Sequence, residues 1–353
     1  MIAKTKTLII ITPGFAKDEE DQNCIPTQQL FIKCLNTIIP DLKVVILALS
    51  YPYKQKTYQW FGNTVISFNG RNRGGFIKLL IRRKVYRKLR EINAQDKIVG
   101  ILSFWYHECA LIGNRFAKKN KLIHKCWMWG QDARPGNRYV RKVRIDGNDL
   151  VVLSDFLQQE FEKNYNIKPA HVIPPGIDKE LFGYSDHKKG IDIIGTGSLI
   201  RLKRFEIFVE VIEKIKRQRE NIKVLLVGDG PEKENLIALV KKLGLEQTIS
   251  IAGELSHKEL LKLMQQSKIF LHTSSYEGFG IVCIEALYAG CRIISFCKPM
   301  KQDIDNWQIA NDKEEMYNMA LSALDQQIVQ TNELFPFLIS NTVEKFVDLF
   351  HLK

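Results

Sequence analysis

The sequence runs to 353 residues, 45% hydrophobic and 26% charged, which excludes a disordered or fibrous chain and, at ~100–200 residues per domain, predicts two globular domains. No apolar run nears the ~20 residues of a membrane span, the stretch 8–11 is too short for a secretory leader, and seven scattered cysteines lack disulfide or zinc spacing, so a reduced, cytoplasmic protein is expected. The net charge of +13 is uneven: residues 1–175 hold 29 Lys and Arg against 14 Asp and Glu, residues 176–353 hold 23 against 25, which leaves either an anionic partner for the first half or plain solubility open.

In chain order, short β-branched runs alternate with longer helical ones, the rhythm of α/β units on parallel sheets. Strands are expected at 7–12, 44–49, 98–103, 125–129 and 150–153, helices near 22–38, 74–94 and 107–119, and a hairpin over 58–68 turning near Gly62-Asn63. Val172-Ile173-Pro174-Pro175-Gly176-Ile177-Asp178 stops any regular element and reads as a linker. The rhythm then restarts. Strands fall at 191–196, 223–227, 248–251, 269–271 and 292–296, and helices at 203–217, 231–243, 257–266 and 281–288, with Pro231 at a first helical position. The tail 312–352 is helical in pattern with a break at Pro336.

The segment Ser274-Ser275-Tyr276-Glu277-Gly278-Phe279-Gly280-Ile281-Val282-Cys283-Ile284-Glu285-Ala286 follows a strand and opens a helix. Its glycines let backbone approach a ligand, and the helix start offers free N–H groups to phosphate. Glu277 and Glu285, with seven residues between them, can address one ligand from two depths. A second basic segment, Gly197-Ser198-Leu199-Ile200-Arg201-Leu202-Lys203-Arg204-Phe205, places cations at a helix start, where they oppose the dipole. That favours an anionic ligand over a merely solvated turn.

These residues resemble the E-x7-E signature of retaining glycosyltransferases of GT-B architecture, glycosyltransferase family 4 (glycosyl transferases group 1), with Ala286, Ala289 and Gly290 continuing the family's EA-x-A-x-G run. The resemblance implies an α/β fold of two Rossmann-like domains facing across a cleft. Their expected bounds are 1–175, with a returning C-terminal helix at 341–353, and 176–340. It also implies transfer of a hexosyl group, with retention and without a metal or cofactor, from a UDP- or GDP-linked donor. Glu277 and the backbone of Gly278, Phe279, Gly280, Ile281 and Val282 would then hold the donor, and Glu285 the ribose. The basic segment resembles the family's G-R-L-x-x-x-K-G: Lys203 falls on the lysine, Ser198 replaces the arginine and Arg204 the glycine, so Arg201 is a candidate for the missing cation. Phe104-Trp105-Tyr106-His107-Glu108 resembles the family's His-Glu segment, which implies a donor-sugar contact for His107. Of a glycine-rich loop after the first strand only Gly14 is present, followed by the acidic run Asp18 to Asp21. Asp132 in Trp129-Gly130-Gln131-Asp132 reads as a surface turn residue or an acceptor contact.

The expected acceptor is a saccharide or lipid-linked saccharide of cell-surface polysaccharide or glycolipid synthesis. The stretch from Arg71 to Arg90 carries nine Lys and Arg and no acid. As a helix it would turn Ile81, Val85, Leu89 and Ile92 inward and leave Phe76, Leu79 and Leu80 beside Arg83, Arg87 and Arg90. That is the make-up of a surface docking on anionic membrane, so a peripheral protein of the cytoplasmic face is expected. The alternative is a basic nucleic-acid-binding α/β protein, but no RNP, helix-turn-helix or zinc pattern is present. A dinucleotide-dependent dehydrogenase needs GxGxxG after the first strand, where Pro13-Gly14-Phe15-Ala16-Lys17 stands instead.

Overall fold

The computed structural model describes residues 4–21, 24–183, 189–326 and 335–353. Two compact units emerge, Met1–Gly176 with Leu338–Lys353, and Ile177–Phe337.

The first unit runs β1 (Lys6–Gly14), α1 (Pro26–Ile38), β2 (Lys43–Tyr51), β3 (Lys56–Trp60), β4 (Asn63–Ser67), α2 (Gly75–Gln95), β5 (Lys97–Phe104), α3 (Glu108–Asn120), β6 (His124–Trp127), α4 (Arg138–Lys142), β7 (Leu150–Val152), α5 (Asp155–Tyr165) and β8 (His171–Val172). The sheet order is β3-β4-β2-β1-β5-β6-β7-β8. Every pairing is parallel except β3 on β4. β1 and β2 read as unbroken apolar runs because helices cover both faces of such a sheet, and Leu8 to Ile11 and Val44 to Leu47 are all buried. The hairpin turns at Phe61-Gly62, both at positive φ, with Trp60 opposite Asn63, one residue earlier than expected.

The second unit runs β9 (Ile191–Thr196), α6 (Phe205–Lys216), β10 (Val224–Val227), α7 (Lys233–Lys242), β11 (Ile249–Ile251), α8 (His257–Gln265), β12 (Ser267–His272), α9 (Ile281–Tyr288), β13 (Arg292–Ser295), β14 (Trp307–Ile309) and α10 (Lys313–Asp325). Its all-parallel sheet is ordered β11-β10-β9-β12-β13-β14. Counted within the unit this is 3-2-1-4-5-6, the doubly wound Rossmann order. Phe208, Val209, Ile212 and Ile215 of α6 close one side of its core.

The last helix, α11 (Ile339–Leu349), belongs to the first unit. Phe346 packs on Phe31 and Trp127, with ring centroids 5.2 and 4.7 Å apart. Thr342 donates to the Pro174 carbonyl at 2.9 Å. A side chain at Gly176 would meet the Ile339 Cα at 2.4 Å, so the glycine after the two prolines is what lets the returning chain lie against it.

Several elements depart from the sequence-based expectation. The helix α5 was not anticipated, although Ser154 caps it by accepting the Leu157 N–H at 3.1 Å. The strands β8 and β14, of two and three residues, are too short to show a period. Pro231 does not open α7: Glu232 N–H bonds the Leu199 carbonyl and Lys233 N–H the Gly230 carbonyl, which delays the helix to Lys233. The expected helix start at Gln22 and the stretch 327–334 of the tail lie outside the described residues. No helix among the described residues is long and apolar enough to cross a membrane.

Candidate active site

In an open α/β sheet ligands bind at the carboxyl ends of the strands where the order reverses. In the second unit that point lies between β9 and β12. The two segments singled out from the sequence leave these two strands: β9 runs into Gly197–Lys203, and β12 into the loop that ends at Gly280.

The segments are stitched together. Thr273 Oγ1 donates to the Lys203 carbonyl at 2.7 Å, Ser275 N–H to the Leu202 carbonyl at 3.0 Å, and Arg204 Nε to the Thr273 carbonyl at 3.0 Å. Gly197 sits at φ 145°, and the Lys203 stem passes 3.5 Å from where its Cβ would be. The Lys203 ammonium thereby reaches Glu277 Oε2 at 2.7 Å, with side chains only 18% and 25% exposed. His272, buried at the end of β12, places Nε2 3.6 Å from the same oxygen and 3.2 Å from Ser274 Oγ. Burial pushes the Glu277 carboxyl up, but His272 and the Lys203 charge overcome it and hold the group at about 2. Burial lowers the His272 pKa, so the imidazole offers a dipole and Lys203 the full charge.

Gly280 lies at φ 87° at the start of α9, where a Cβ would crowd Cys283 Sγ at 3.2 Å and Glu277 Cγ at 3.5 Å. Phe279 is buried against Phe337 and Trp307. The loop 278–280 can therefore offer a ligand only backbone, followed by the first helical N–H groups, those of Ile281 and Val282, which have no partner within the helix. About one turn on, Glu285 accepts from His257 Nε2 at 2.8 Å. His257 was missed from the sequence; its pairing with a residue 28 positions away has no local signature.

Two candidates stand apart from this cluster. Arg201 is 93% exposed and pairs with Glu232 at 3.3 Å, so the structure does not bring it to Lys203. Ser198 is exposed.

In the first unit the order reverses between β1 and β5. Gly14 ends β1 and His107 follows β5. Gly14 is buried, and a Cβ there would press on Tyr51 Cβ at 3.3 Å and Cys24 Sγ at 3.6 Å, a packing reason for the residue. The acidic run is tied down by Asp21, whose carboxylate accepts from Tyr51 Oη at 2.9 Å. His107 precedes α3, its ring parallel to Trp105, which is itself at φ 66°. Burial and then the Lys78 charge lower the His107 pKa to about 4, so its imidazole is neutral at pH 7. Its neighbour Glu108 is gripped by Arg82 at 2.7 Å and Lys78 at 3.2 Å from α2 and by Tyr139 Oη at 3.1 Å. Two of the nine cations of the basic stretch are thus structural.

Asp132 corrects the expectation of a surface residue. It is buried, and its carboxylate accepts the Trp129 N–H at 2.9 Å. Burial raises its pKa to about 7.

The chain matches the family model for glycosyl transferases group 1 over residues 178–304. It is 26% identical over 203 residues, 56% of this chain and 44% of the relative, to the phosphatidylinositol N-acetylglucosaminyltransferase gpi3 subunit of Schizosaccharomyces pombe. It is 25% identical, over 62% of each chain, to the N-acetylgalactosamine-N,N'-diacetylbacillosaminyl-diphospho-undecaprenol 4-alpha-N-acetylgalactosaminyltransferase of Campylobacter jejuni. Against Anabaena HepE in complex with UDP and glucose the fold superposes with a TM-score of 0.63 at 14% identity, over 97% of this chain and 95% of that one. The chain spans roughly half the length of the curated relatives it matches, 44% and 62% of these two. The chain thus has the fold of GT-B glycosyltransferases, and its second unit, which carries both glutamates and the Lys203 segment, is similar to the glycosyl transferases group 1 family.

Proposed function

We propose that the protein is a retaining, metal-independent hexosyltransferase. It would move a sugar from a UDP- or GDP-linked donor to a saccharide or lipid-linked saccharide in cell-surface polysaccharide or glycolipid synthesis. The observation that carries this is the Lys203–Glu277 pair at 2.7 Å, set with the α9 amides and Glu285 at the point where the second sheet reverses. Lys203 and the helix N-terminus supply positive charge where a nucleoside diphosphate gains negative charge on leaving. Glu277 and the 278–282 backbone hold the donor, Glu285 takes the ribose, and neutral His107 contacts the sugar. The bond from the anomeric carbon to the diphosphate oxygen breaks with its electrons going to the diphosphate. The acceptor hydroxyl attacks the same face, and its proton passes to the departing diphosphate. The nucleic-acid alternative has no supporting observation beyond charge.

The two curated relatives carry lipid-linked names, phosphatidylinositol and diphospho-undecaprenol. This supports a lipid-linked acceptor and work at the cytoplasmic face of a membrane. On α2, Phe76 is 70% exposed and Ile77, Leu79 and Leu80 are exposed beside Arg83, Arg87 and Arg90, while Val85, Leu89 and Ile92 are buried. Such a face suits shallow insertion among anionic headgroups, each cation contributing ~1 kcal/mol.

Thermal-shift titration with UDP- and GDP-sugars, against a Lys203→Ala control, tests the donor reading: stabilisation of the wild type alone is expected, and none with either series overturns it. Co-sedimentation with vesicles tests the docking. Preference for anionic over neutral lipid at low salt, lost in an Arg83→Ser/Arg87→Ser/Arg90→Ser variant, is expected; no preference refutes it.

A further inference from the structure

The two glutamates of the site are held differently. Glu277 meets Lys203 from the segment after β9 and His272 at the end of β12, whereas Glu285 is met by α8, an element outside both motifs. α8 opens with a capping box: Ser256 Oγ accepts the Glu259 N–H at 3.3 Å and the Glu259 carboxylate accepts the Ser256 N–H at 3.0 Å. This fixes the first turn, and His257 is its first residue. The imidazole Nε2 lies 2.8 Å from Glu285 Oε1, with the histidine side chain 47% exposed and the glutamate side chain 14% exposed.

That placement runs against local preference. A cationic side chain at a helix N-terminus opposes the dipole, and the partial burial of this ring opposes its charge as well. The bond to the Glu285 carboxylate outweighs the burial and raises the His257 pKa. A surface imidazole otherwise free to turn is therefore committed to one oxygen of one carboxylate.

We propose that His257 is a positioning residue for nucleotide recognition. It fixes the rotamer of Glu285 by holding Oε1, so that Oε2 is presented to a ribose hydroxyl without further ordering. This rests on the reading of Glu285 as the ribose-binding carboxylate. A flexible glutamate loses rotamer freedom when it binds, and a site already ordered avoids that loss. The contact is made to a part of the donor remote from the breaking bond, so it acts on the ground and transition states alike and shows in KM, not in kcat.

The experiment is calorimetric titration of the full chain with UDP and with GDP, together with donor KM and kcat, for wild type, His257→Ala, His257→Gln, Glu285→Ala and the double Ala variant. His257→Ala is expected to weaken binding of the accepted nucleotide on the order of tenfold, the worth of one hydrogen bond to a charged group. The loss should fall on KM, with partial recovery in His257→Gln, whose amide can donate to the same oxygen. In the Glu285→Ala background the His257→Ala change should add nothing. If Glu285→Ala weakens binding and His257→Ala does not, or if the two losses add in full, the positioning role is wrong and the site reading stands. If Glu285→Ala leaves binding intact, or the wild type binds neither nucleotide, the reading beneath it falls as well. Loss of thermal stability in His257→Ala with an unchanged KM would mark the pair as structural and refute the proposal.

Discussion

Removing Lys203 isolates Glu277, and the size of the effect follows from the geometry. A carboxyl held at about 2 against its ordinary 4.5 corresponds to about 3 kcal/mol at ~1.4 kcal/mol per tenfold change in proton affinity. With side chains 18% and 25% exposed, solvent screening brings the part lost with Lys203 down to ~1–2 kcal/mol. The folded-state pKa is depressed, so this stability is present above about 4.5 and lost as pH falls toward 2. At pH 7 Lys203→Ala should lower the free energy of unfolding by that amount, while Lys203→Ala in a Glu277→Gln background should change it little, because no buried charge is stranded. Urea denaturation of the four proteins gives the coupling directly. Donor turnover should fall ~100- to 1000-fold in Lys203→Ala, as when a preorganised charge partner is removed. A coupling energy near zero would mean that the 2.7 Å contact does not set the state of Glu277. Donor hydrolysis near wild type would mean that Lys203 does not meet the diphosphate.

On the proposed reading Lys203 and the α9 N-terminus, not a metal, offset the charge of the leaving diphosphate, so turnover is expected to survive EDTA; complete loss restored by Mg²⁺ would refute metal independence. Asp132 binds its proton more tightly folded, about 7, than its ordinary 3.8. Its stabilising contribution is full below that ordinary value and is lost as pH rises through about 7. The fall in melting temperature between pH 5 and 8 should therefore flatten in Asp132→Asn, and equal slopes in the two proteins would show that the group titrates normally.

The α/β class, the parallel sheets and most elements were legible because a strand covered on both faces must be largely apolar, as 8–11 and 44–49 are throughout, and because glycine and proline punctuate the runs between them. The E-x7-E spacing was legible because it is local, spanning one turn and the first half of α9. What escaped was what distance in sequence hides. Asp132 looks like a turn residue until packing of its segment buries it. The His257 contact to Glu285 spans 28 positions and the Lys203 contact to Glu277 spans 74. Arg201 reads as the replacement cation from spacing alone, yet its side chain stands 93% exposed beside Glu232, which the turn before α7 brings to it. The strands β8 and β14 carry too few residues for alternation to register.

The departure at Arg204 shows how one substitution is accommodated inside the site. The residue sits at φ 47°, ψ 46°, the left-handed region in which the family pattern's glycine costs nothing and any other residue ~1 kcal/mol or more. Two contacts offset this. Nε donates to the Thr273 carbonyl at 3.0 Å, worth ~1 kcal/mol, and the guanidinium lies 4.7 Å over the Phe296 ring, worth ~0.5–1 kcal/mol. Arg204→Gly removes strain and contacts together, so its stability should stay within ~1 kcal/mol of wild type. Arg204→Ala keeps the strain and removes the contacts, so it should lie ~1 kcal/mol or more below Arg204→Gly. The order is unusual, since glycine ordinarily destabilises relative to alanine, and urea midpoints resolve it. Alanine equal to or above glycine would show that the backbone at 204 is not held left-handed. The Thr273 contact, which ties the Lys203 turn to the Glu277 loop, would then need another support.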